Sequence, residues 1–256
     1  MKTSVIILTK NEEKMIGDCL ESIRQLADEI IVVDSGSSDK TAEIVKKYTD
    51  KIFTDESDDF SAKRNLGLAK AQGKWILYLD ADERITPELK EEIEFLLRQD
   101  YGGQVGGSAY KIPRKNFYFG NHEWPYIEKI ERLFKKDKLE GWKGKVHESP
   151  IVRGEVGELK NYLLHYTHRD LSSMVRKTIE WSKIEAELCF KAGHPQVTWW
   201  RFPRVMLTEF YRSYVKQGGW RVGTVGIIES MYQAFSIFVT YARLWEMQQQ
   251  KLKSES

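Results

Sequence analysis

Five apolar residues, Trp75, Ile76, Leu77, Tyr78 and Leu79, stand between charged neighbours and run straight into Asp80-Ala81-Asp82-Glu83. A run this short and this sharply bounded predicts a buried strand. In open α/β sheets ligands bind at the carboxyl ends of the strands. Asp80 and Asp82, two residues apart where the strand runs out, therefore place oxygen ligands at a crevice. Oxygen-only ligation suits Mg²⁺ or Mn²⁺, which join one or two carboxylates to substrate phosphates. The alternative is a solvated turn ahead of a helix, since Thr86 is placed to cap and Pro87 to open one. Asp-x-Asp alone is common; its position after a buried strand singles this one out.

The residues before it define the sheet. Residues 5–8 form a strand, after which Met15, Ile16, Cys19, Leu20 and Ile23 recur at helical spacing. Residues 29–33 form a second strand. Ala42, Ile44, Val45 and Tyr48 follow on a short helix that Asp39 is placed to cap. Residues 51–54 are a third strand and residues 61–71 a helix. Such alternation predicts an α/β domain with a mostly parallel sheet covered by helices. In that arrangement three strand ends converge: Thr9, Asn11 and Glu12; Asp34, Ser35 and Gly36; Asp80 and Asp82. Polar clusters at three successive strand ends fit a nucleotide site. No Gly-x-Gly-x-x-Gly follows the first strand and no Gly-x-x-x-x-Gly-Lys-Ser/Thr occurs, so side chains must hold the nucleotide. Asp34 would meet ribose or base, and the aspartate pair the diphosphate through a metal.

Beyond residue 100 the pattern changes. Glycine-rich turns and β-prone stretches at 109–113, 116–119, 130–134 and 161–166 predict antiparallel hairpins around the site. From Leu171 onward the chain reads as helical, and only residues 248–256 look disordered. With 256 residues, 41% of them hydrophobic, a normal core needs neither disulfides nor structural metal. Lys and Arg number 40 against 38 Asp and Glu, a balance that points to no nucleic-acid partner. Cys19 and Cys189 lack CxxC or metal-ligand neighbours and read as buried thiols in a reducing compartment. The N-terminus turns polar too quickly for a signal peptide, so the expected location is cytoplasmic.

Thr9-Lys10-Asn11-Glu12, Val32-Val33-Asp34-Ser35-Gly36-Ser37-Ser38-Asp39 and Leu79-Asp80-Ala81-Asp82-Glu83 together resemble the family 2 inverting glycosyltransferases with the GT-A fold. Lys63-Arg64-Asn65 and Val146-His147-Glu148 resemble the bacterial lipopolysaccharide-core β-glucosyltransferase branch. The resemblance covers roughly residues 3–100, is patchier over 101–170, and in the tail rests on Gly218-Gly219-Trp220 and an aromatic helix ending near Trp245. It implies a GT-A (Rossmann-like) nucleotide-sugar-binding domain over 1–168, with a nucleotide-binding half (1–100) and an acceptor and catalytic half (101–168), then a helical extension over 169–250.

The resemblance also implies roles. Thr9, Asn11, Glu12 and Asp34, with Ser35 and Gly36, would line the nucleoside pocket. Asp80 would contact the ribose or base side, and Asp82 would bind Mg²⁺ or Mn²⁺ on the diphosphate. Glu148 is the expected general base, His147 its orienter, and His165 a further metal ligand. Lys63 and Arg64 would add positive charge near the phosphates, against the alternative of a solvated helix face; Asn65 would cap or pack. Many members carry a Glu-Asp pair and a Gln-x-x-Arg-Trp motif, and neither is present, which leaves the acceptor side least defined. The implied activity is transfer of a hexose from a UDP-sugar to a glycan or lipid-linked acceptor with inversion, in lipopolysaccharide or other cell-envelope glycan synthesis. A sugar-nucleotide pyrophosphorylase would need a glycine-rich, arginine-containing loop where Thr9-Lys10-Asn11-Glu12 stands. A non-catalytic carbohydrate-binding or membrane-tethering module would be signalled by loss of carboxylates, yet Asp34, Asp80, Asp82 and Glu148 are all present.

Residues 222–247 are apolar enough to raise a membrane span, but Glu229, Gln233 and Arg243 interrupt them. The longest uncharged run, 230–242, falls well short of the ~20 residues needed. Trp199, Trp200, Phe202 and Trp220, interleaved with Arg201, Arg204, Arg212, Lys216 and Arg221, read instead as interfacial helices on the inner face of the cytoplasmic membrane. The alternative is that these aromatics pack on the sheet domain or a second subunit.

Overall fold

Residues 3–100, 106–145 and 148–255 are described in a computed structural model. The chain folds as two compact units, one of Met1–Lys115 with Ile127–His165, the other of Asn116–Tyr126 with Tyr166–Ser256.

In the first unit, strands β1 (Thr3–Thr9), β2 (Glu29–Asp34), β3 (Ile52–Thr54) and β4 (Trp75–Asp80) alternate with helices α1 (Ile16–Ile23), α2 (Thr41–Val45) and α3 (Phe60–Lys70). Their order is β3-β2-β1-β4, all parallel. A tight turn at Ala81 and Asp82 leads to β5 (Glu83–Ile85) and α4 (Pro87–Asp100). The helix start is as expected, with the Thr86 hydroxyl accepting the Leu89 N–H at 3.2 Å. The intervening strand, buried throughout, was not legible in the sequence. Asp39 accepts the Thr41 N–H at 3.0 Å, one residue ahead of the cap position of α2.

The sheet then turns antiparallel. β6 (Ala109–Tyr118) is one long strand where the sequence pattern showed two. It pairs with β8 (Glu128–Lys135), which pairs with β4. The short β7 (His122–Glu123) pairs with the end of β6. β9 (Leu139–Lys143) and β10 (Ser149–Val152) form a separate hairpin, β11 (Val156–Glu158) adds to β6, and β12 (Leu163–Tyr166) pairs with β5.

Strand side chains alternate between faces, so the sheet has two cores. Val5, Ile7, Val32, Leu77 and Leu79 pack with Ile16, Cys19 and Leu20 of α1 and with Leu89 and Ile93 of α4. Ile6, Leu8, Ile31, Ile76 and Tyr78 pack on the opposite face with Phe134, Leu139 and Trp142. Cys19 is fully buried, and burial pushes its thiol far above the ordinary range; it is an inert core residue. Cys189 is only half-buried.

The second unit is mainly helical: α5 (Leu171–Lys191), α6 (Arg201–Tyr211) and α7 (Thr224–Glu255). Asp170 caps α5 by accepting the Ser173 N–H at 2.8 Å. Inside, the Thr178 and Tyr232 hydroxyls meet at 2.8 Å, and His168 Nδ1 lies 2.9 Å from the buried Glu229 carboxylate. For residues 248–255 the expectation of a disordered tail is corrected; Ser256 lies outside the described residues. α7 runs on to Glu255, because the Gln248 amide accepts the Val197 N–H at 2.8 Å and donates to the His194 carbonyl at 3.0 Å. Polar composition hid an anchored turn. Among the described residues no helix is long and apolar enough to cross a membrane.

α7 begins against backbone. A Cβ on Gly226 would lie 1.8 Å from the Gly219 carbonyl oxygen and 2.6 Å from its carbon. Backbone cannot rotate away, so Gly226→Ala is expected to destabilise the protein by at least about 1–3 kcal/mol. Gly106→Ala, where a Cβ meets nothing within 4 Å, should leave the melting temperature within a degree or two. Differential scanning calorimetry of both variants checks the pair.

Candidate active site

Three strand ends lie level. Thr9 is in register with Asp34, and Leu8 with Asp80, so the polar residues that close β1, β2 and β4 face one crevice. The loops after β1 and β2 are stitched together. Asn11, in the left-handed region at φ 54°, accepts the Ser38 N–H on its side-chain oxygen and donates its own N–H to the Ser37 hydroxyl, both at 2.8 Å. The Glu12 N–H donates to the Thr41 hydroxyl at 2.8 Å. Asp34 is buried and accepts the Ser37 N–H at 2.9 Å and hydroxyl at 2.5 Å. Ser35 is buried beside it, and Gly36 takes φ 75°. The buried Thr9 hydroxyl has no protein partner, which leaves it available to a ligand in a position where unpaired polar groups are costly.

At β4 the carboxylates are held by guanidinium groups. Arg64, on α3, donates from Nε to Glu148 Oε1 at 2.9 Å and from Nη2 to Asp80 Oδ1 at 3.2 Å. Arg132, on β8, donates to Asp80 Oδ2 at 2.6 Å and reaches Glu83 at 3.5 Å. Arg114, on β6, donates to Glu83 at 2.9 Å and grips Glu128 with its Nε at 3.0 Å. Glu83 also accepts the Asp80 N–H at 2.9 Å. The result is an alternating chain, Glu148–Arg64–Asp80–Arg132–Glu83–Arg114–Glu128. Partial burial pushes the Asp80 carboxyl up, but Arg132, Arg64 and Arg114 outweigh it and hold it well below the usual carboxylate range.

Arg64 is 3% exposed and lies over the Trp142 and Tyr78 rings, 4.8 and 5.6 Å from their centroids. Its Nη1 is buried without a partner. Lys63 is buried as well, over the Phe60 ring at 5.2 Å, and burial lowers its ammonium pKa. The solvated helix face considered for these two residues is therefore excluded. Asn65 next to them clamps β9: its side chain accepts the Trp142 N–H at 2.8 Å and donates to the Trp142 carbonyl at 3.0 Å. That clamp fixes the hairpin from which Glu148 enters, immediately before β10. Val146 and His147 lie outside the described residues.

Asp82 sits in the turn after β4 and points to His165 on β12, with Oδ2 and Nε2 3.4 Å apart. β12 brings His165 there because it pairs with Glu83 of β5. Among the described residues no group of three or more His, Cys, Asp or Glu side chains is arranged around a metal position. Asp82 and His165 form a pair, and Asp80 is committed to arginines. Arg132, Arg114 and the role of Glu83 were missed by the sequence reading. The available signal was Arg132 inside the β-prone stretch Ile130 to Phe134.

A carboxyl held below its ordinary range stabilises the fold at every pH above its unfolded pKa of about 4, and the gain fades only as pH falls further. Asp80→Asn should therefore cost on the order of 1–3 kcal/mol, since it removes the carboxylate that Arg64 and Arg132 share, at a site 31% exposed, and leaves them only Glu148 and Glu83. The gap from wild type should be constant between pH 5 and 8 and narrow below about pH 4. Urea unfolding across that range measures it.

Residues 4–150, more than half of the chain, match the family model described as Glycosyl transferase family 2. The lipopolysaccharide core biosynthesis glycosyltransferase LpsC of Rhizobium meliloti is 28% identical, over 95% of this chain and 92% of that protein. A glycosyltransferase of Rickettsia typhi, uncharacterized in function, is 27% identical over 96% of this chain and 87% of its own length. Among solved structures, S. aureus TarS 1–349 in complex with UDP aligns at a TM-score of 0.49 and 16% identity, covering 98% of this chain and 92% of that one. The matched segment contains all three polar strand ends, Arg64 and Glu148, and this chain belongs to glycosyl transferase family 2, with the GT-A (Rossmann-like) architecture of a mixed, mostly parallel sheet and a helical C-terminal region.

Proposed function

We propose that this enzyme transfers a hexose from a UDP-sugar to a glycan or lipid-linked acceptor with inversion, in lipopolysaccharide or other cell-envelope glycan synthesis. The observation that carries this reading is one buried guanidinium, Arg64, bonded both to Glu148 and to Asp80 at the end of β4. That guanidinium holds the Glu148 carboxylate beside Asp80, at the crevice that the polar strand ends form. The likeness to the Rhizobium protein supports the lipopolysaccharide assignment.

Inversion is a single displacement. The acceptor hydroxyl attacks the anomeric carbon on the face opposite the diphosphate. Its oxygen–carbon bond forms as the carbon–phosphate oxygen bond breaks, and its proton passes to Glu148. Thr9, Asn11, Glu12, Asp34, Ser35 and Gly36 would hold the nucleoside, and the unpartnered Thr9 hydroxyl gives it a hydrogen-bonding group. Negative charge grows on the departing diphosphate. Arg64, with its unpartnered Nη1, and the buried Lys63 stand ready to offset it.

The donor set also fits a divalent cation. Asp82 and His165 converge on one side of the turn, and Mg²⁺ or Mn²⁺ commonly takes one or two protein ligands and completes its shell with substrate phosphates and water. Bound there, such an ion would neutralise diphosphate charge. His147 would orient Glu148 or the acceptor. The enzyme would work in the cytoplasm and meet a lipid-linked acceptor at the inner membrane face.

Glu148→Gln keeps shape and hydrogen bonding but cannot take a proton, so turnover should fall by roughly 10²–10⁴ with UDP affinity almost unchanged. Near-normal turnover would move the base elsewhere. Asp82→Ala should abolish transfer and remove the Mn²⁺ dependence of UDP binding, read as the ligand-induced shift in melting temperature. Metal-stimulated UDP binding that survives in the variant would contradict the cation assignment.

A further inference from the structure

The second unit exposes a surface that is apolar and cationic at once. No residue of α6 is buried. At 100° per residue, Trp200, Pro203, Leu207, Tyr211 and Val215 share one face of α6 and the π-helical turn that continues it, Arg212–Lys216. All five are exposed, Leu207 at 69%, and Trp199 just ahead of the helix is 82% exposed. An amphipathic helix ordinarily turns such a stripe to the core. Here the opposite side of α6 packs, with Phe202 against Phe238 of α7 at 5.5 Å between ring centroids, and the stripe is left outside. α7 also exposes Ile227, Ile228, Met231 and Phe235, with Met231 four residues after Ile227 and Phe235 four after Met231.

The charge around this surface has one sign. Arg201, Arg204, Arg212, Lys216 and Arg221 fall between Trp199 and Phe238, against two acids. Glu209 is bonded to Arg212, and Glu229 is buried against His168. Several of the cations lie over the aromatics: Arg201 and Arg204 over Trp200 at 5.3 and 5.5 Å, Arg221 over Trp220 at 5.1 Å. Aromatic bodies with cationic heads beside them are built for a boundary between an apolar medium and anions.

Charge decides the occupant. A two-fold contact with a second copy would set the same cations against themselves. A bilayer rich in anionic lipid offers both an apolar interior for the stripe and phosphates for the arginines. We propose that the α6–α7 face is a docking surface for an anionic membrane, lying in the interfacial plane with Trp199, Trp200, Leu207 and Tyr211 inserted. The inference stands apart from the catalytic reading, since binding is read without turnover.

The test uses the full chain and vesicles of phosphatidylcholine, with and without about one third phosphatidylglycerol. Co-sedimentation with the anionic vesicles is expected at low salt, weakening at least tenfold by 0.5 M salt, with a blue shift of tryptophan fluorescence. Trp199→Ala with Leu207→Glu should lower the affinity at least tenfold, and Arg204→Gln with Lys216→Gln by a comparable factor. These positions are exposed, so circular dichroism and melting temperature should match wild type. The wild-type salt series needs no variant. Absence of binding to anionic vesicles at low salt would overturn the proposal, as would equal, salt-insensitive binding to both vesicle types. A concentration-dependent dimer lost in Leu207→Glu, without vesicle binding, would assign the face to a second copy.

Discussion

The site depends on a guanidinium taken out of water. Arg64 lies over the Trp142 and Tyr78 rings with 3% of its side chain exposed, a position a lone cation could not hold. Asp80 and Glu148 make it tolerable, and in return Arg64 fixes where both carboxylates stand. Removing either partner would leave the buried cation one carboxylate where it now has two, so strand end, helix and hairpin are bound to one another electrostatically. Arg132 and Arg114 extend the same logic along β8 and β6 to Glu83, whose carboxylate has no solvent exposure.

Backbone register does the rest of the positioning. Parallel pairing of β1 with β2 and β4 sets Thr9, Asp34 and Asp80 at one edge, and the two Asn11 hydrogen bonds close the loops above them. The antiparallel half supplies cations to the same edge, because β8 lies next to β4 and β6 next to β8. Asn65 then holds the β9–β10 hairpin against α3 by two hydrogen bonds to Trp142, much as a neighbouring strand would. Precision at Glu148 thus comes from a packed helix although the residue itself lies outside regular structure.

What the sequence disclosed was local. Alternating apolar runs and helical spacing marked the first four strands and three helices, and the helical pattern from Leu171 marked where the C-terminal helices start. The polar strand ends were legible because they interrupt those runs. The arginine chain was not, since Arg114 and Arg132 meet Glu83 and Asp80 only after β6 and β8 pair beside β4, a contact between residues about 30 to 50 apart in sequence. For Lys63 and Arg64 a solvated helix face stayed open beside a role near the phosphates for the same reason: charge predicts exposure unless a distant element covers it. The C-terminal tail misled in the other direction, its polar composition concealing the anchor that Gln248 makes to His194 and Val197.

The most direct measure of this account is the coupling between Asp80 and Glu148, which share no bond except through Arg64. Urea unfolding of Asp80→Asn, Glu148→Gln and the double variant, each repeated with Arg64→Met, closes the cycle. The account predicts a coupling free energy of at least about 1 kcal/mol when Arg64 is present and additivity within about 0.5 kcal/mol when it is replaced. Additive effects in the presence of Arg64 would show that the guanidinium does not tie the two carboxylates together.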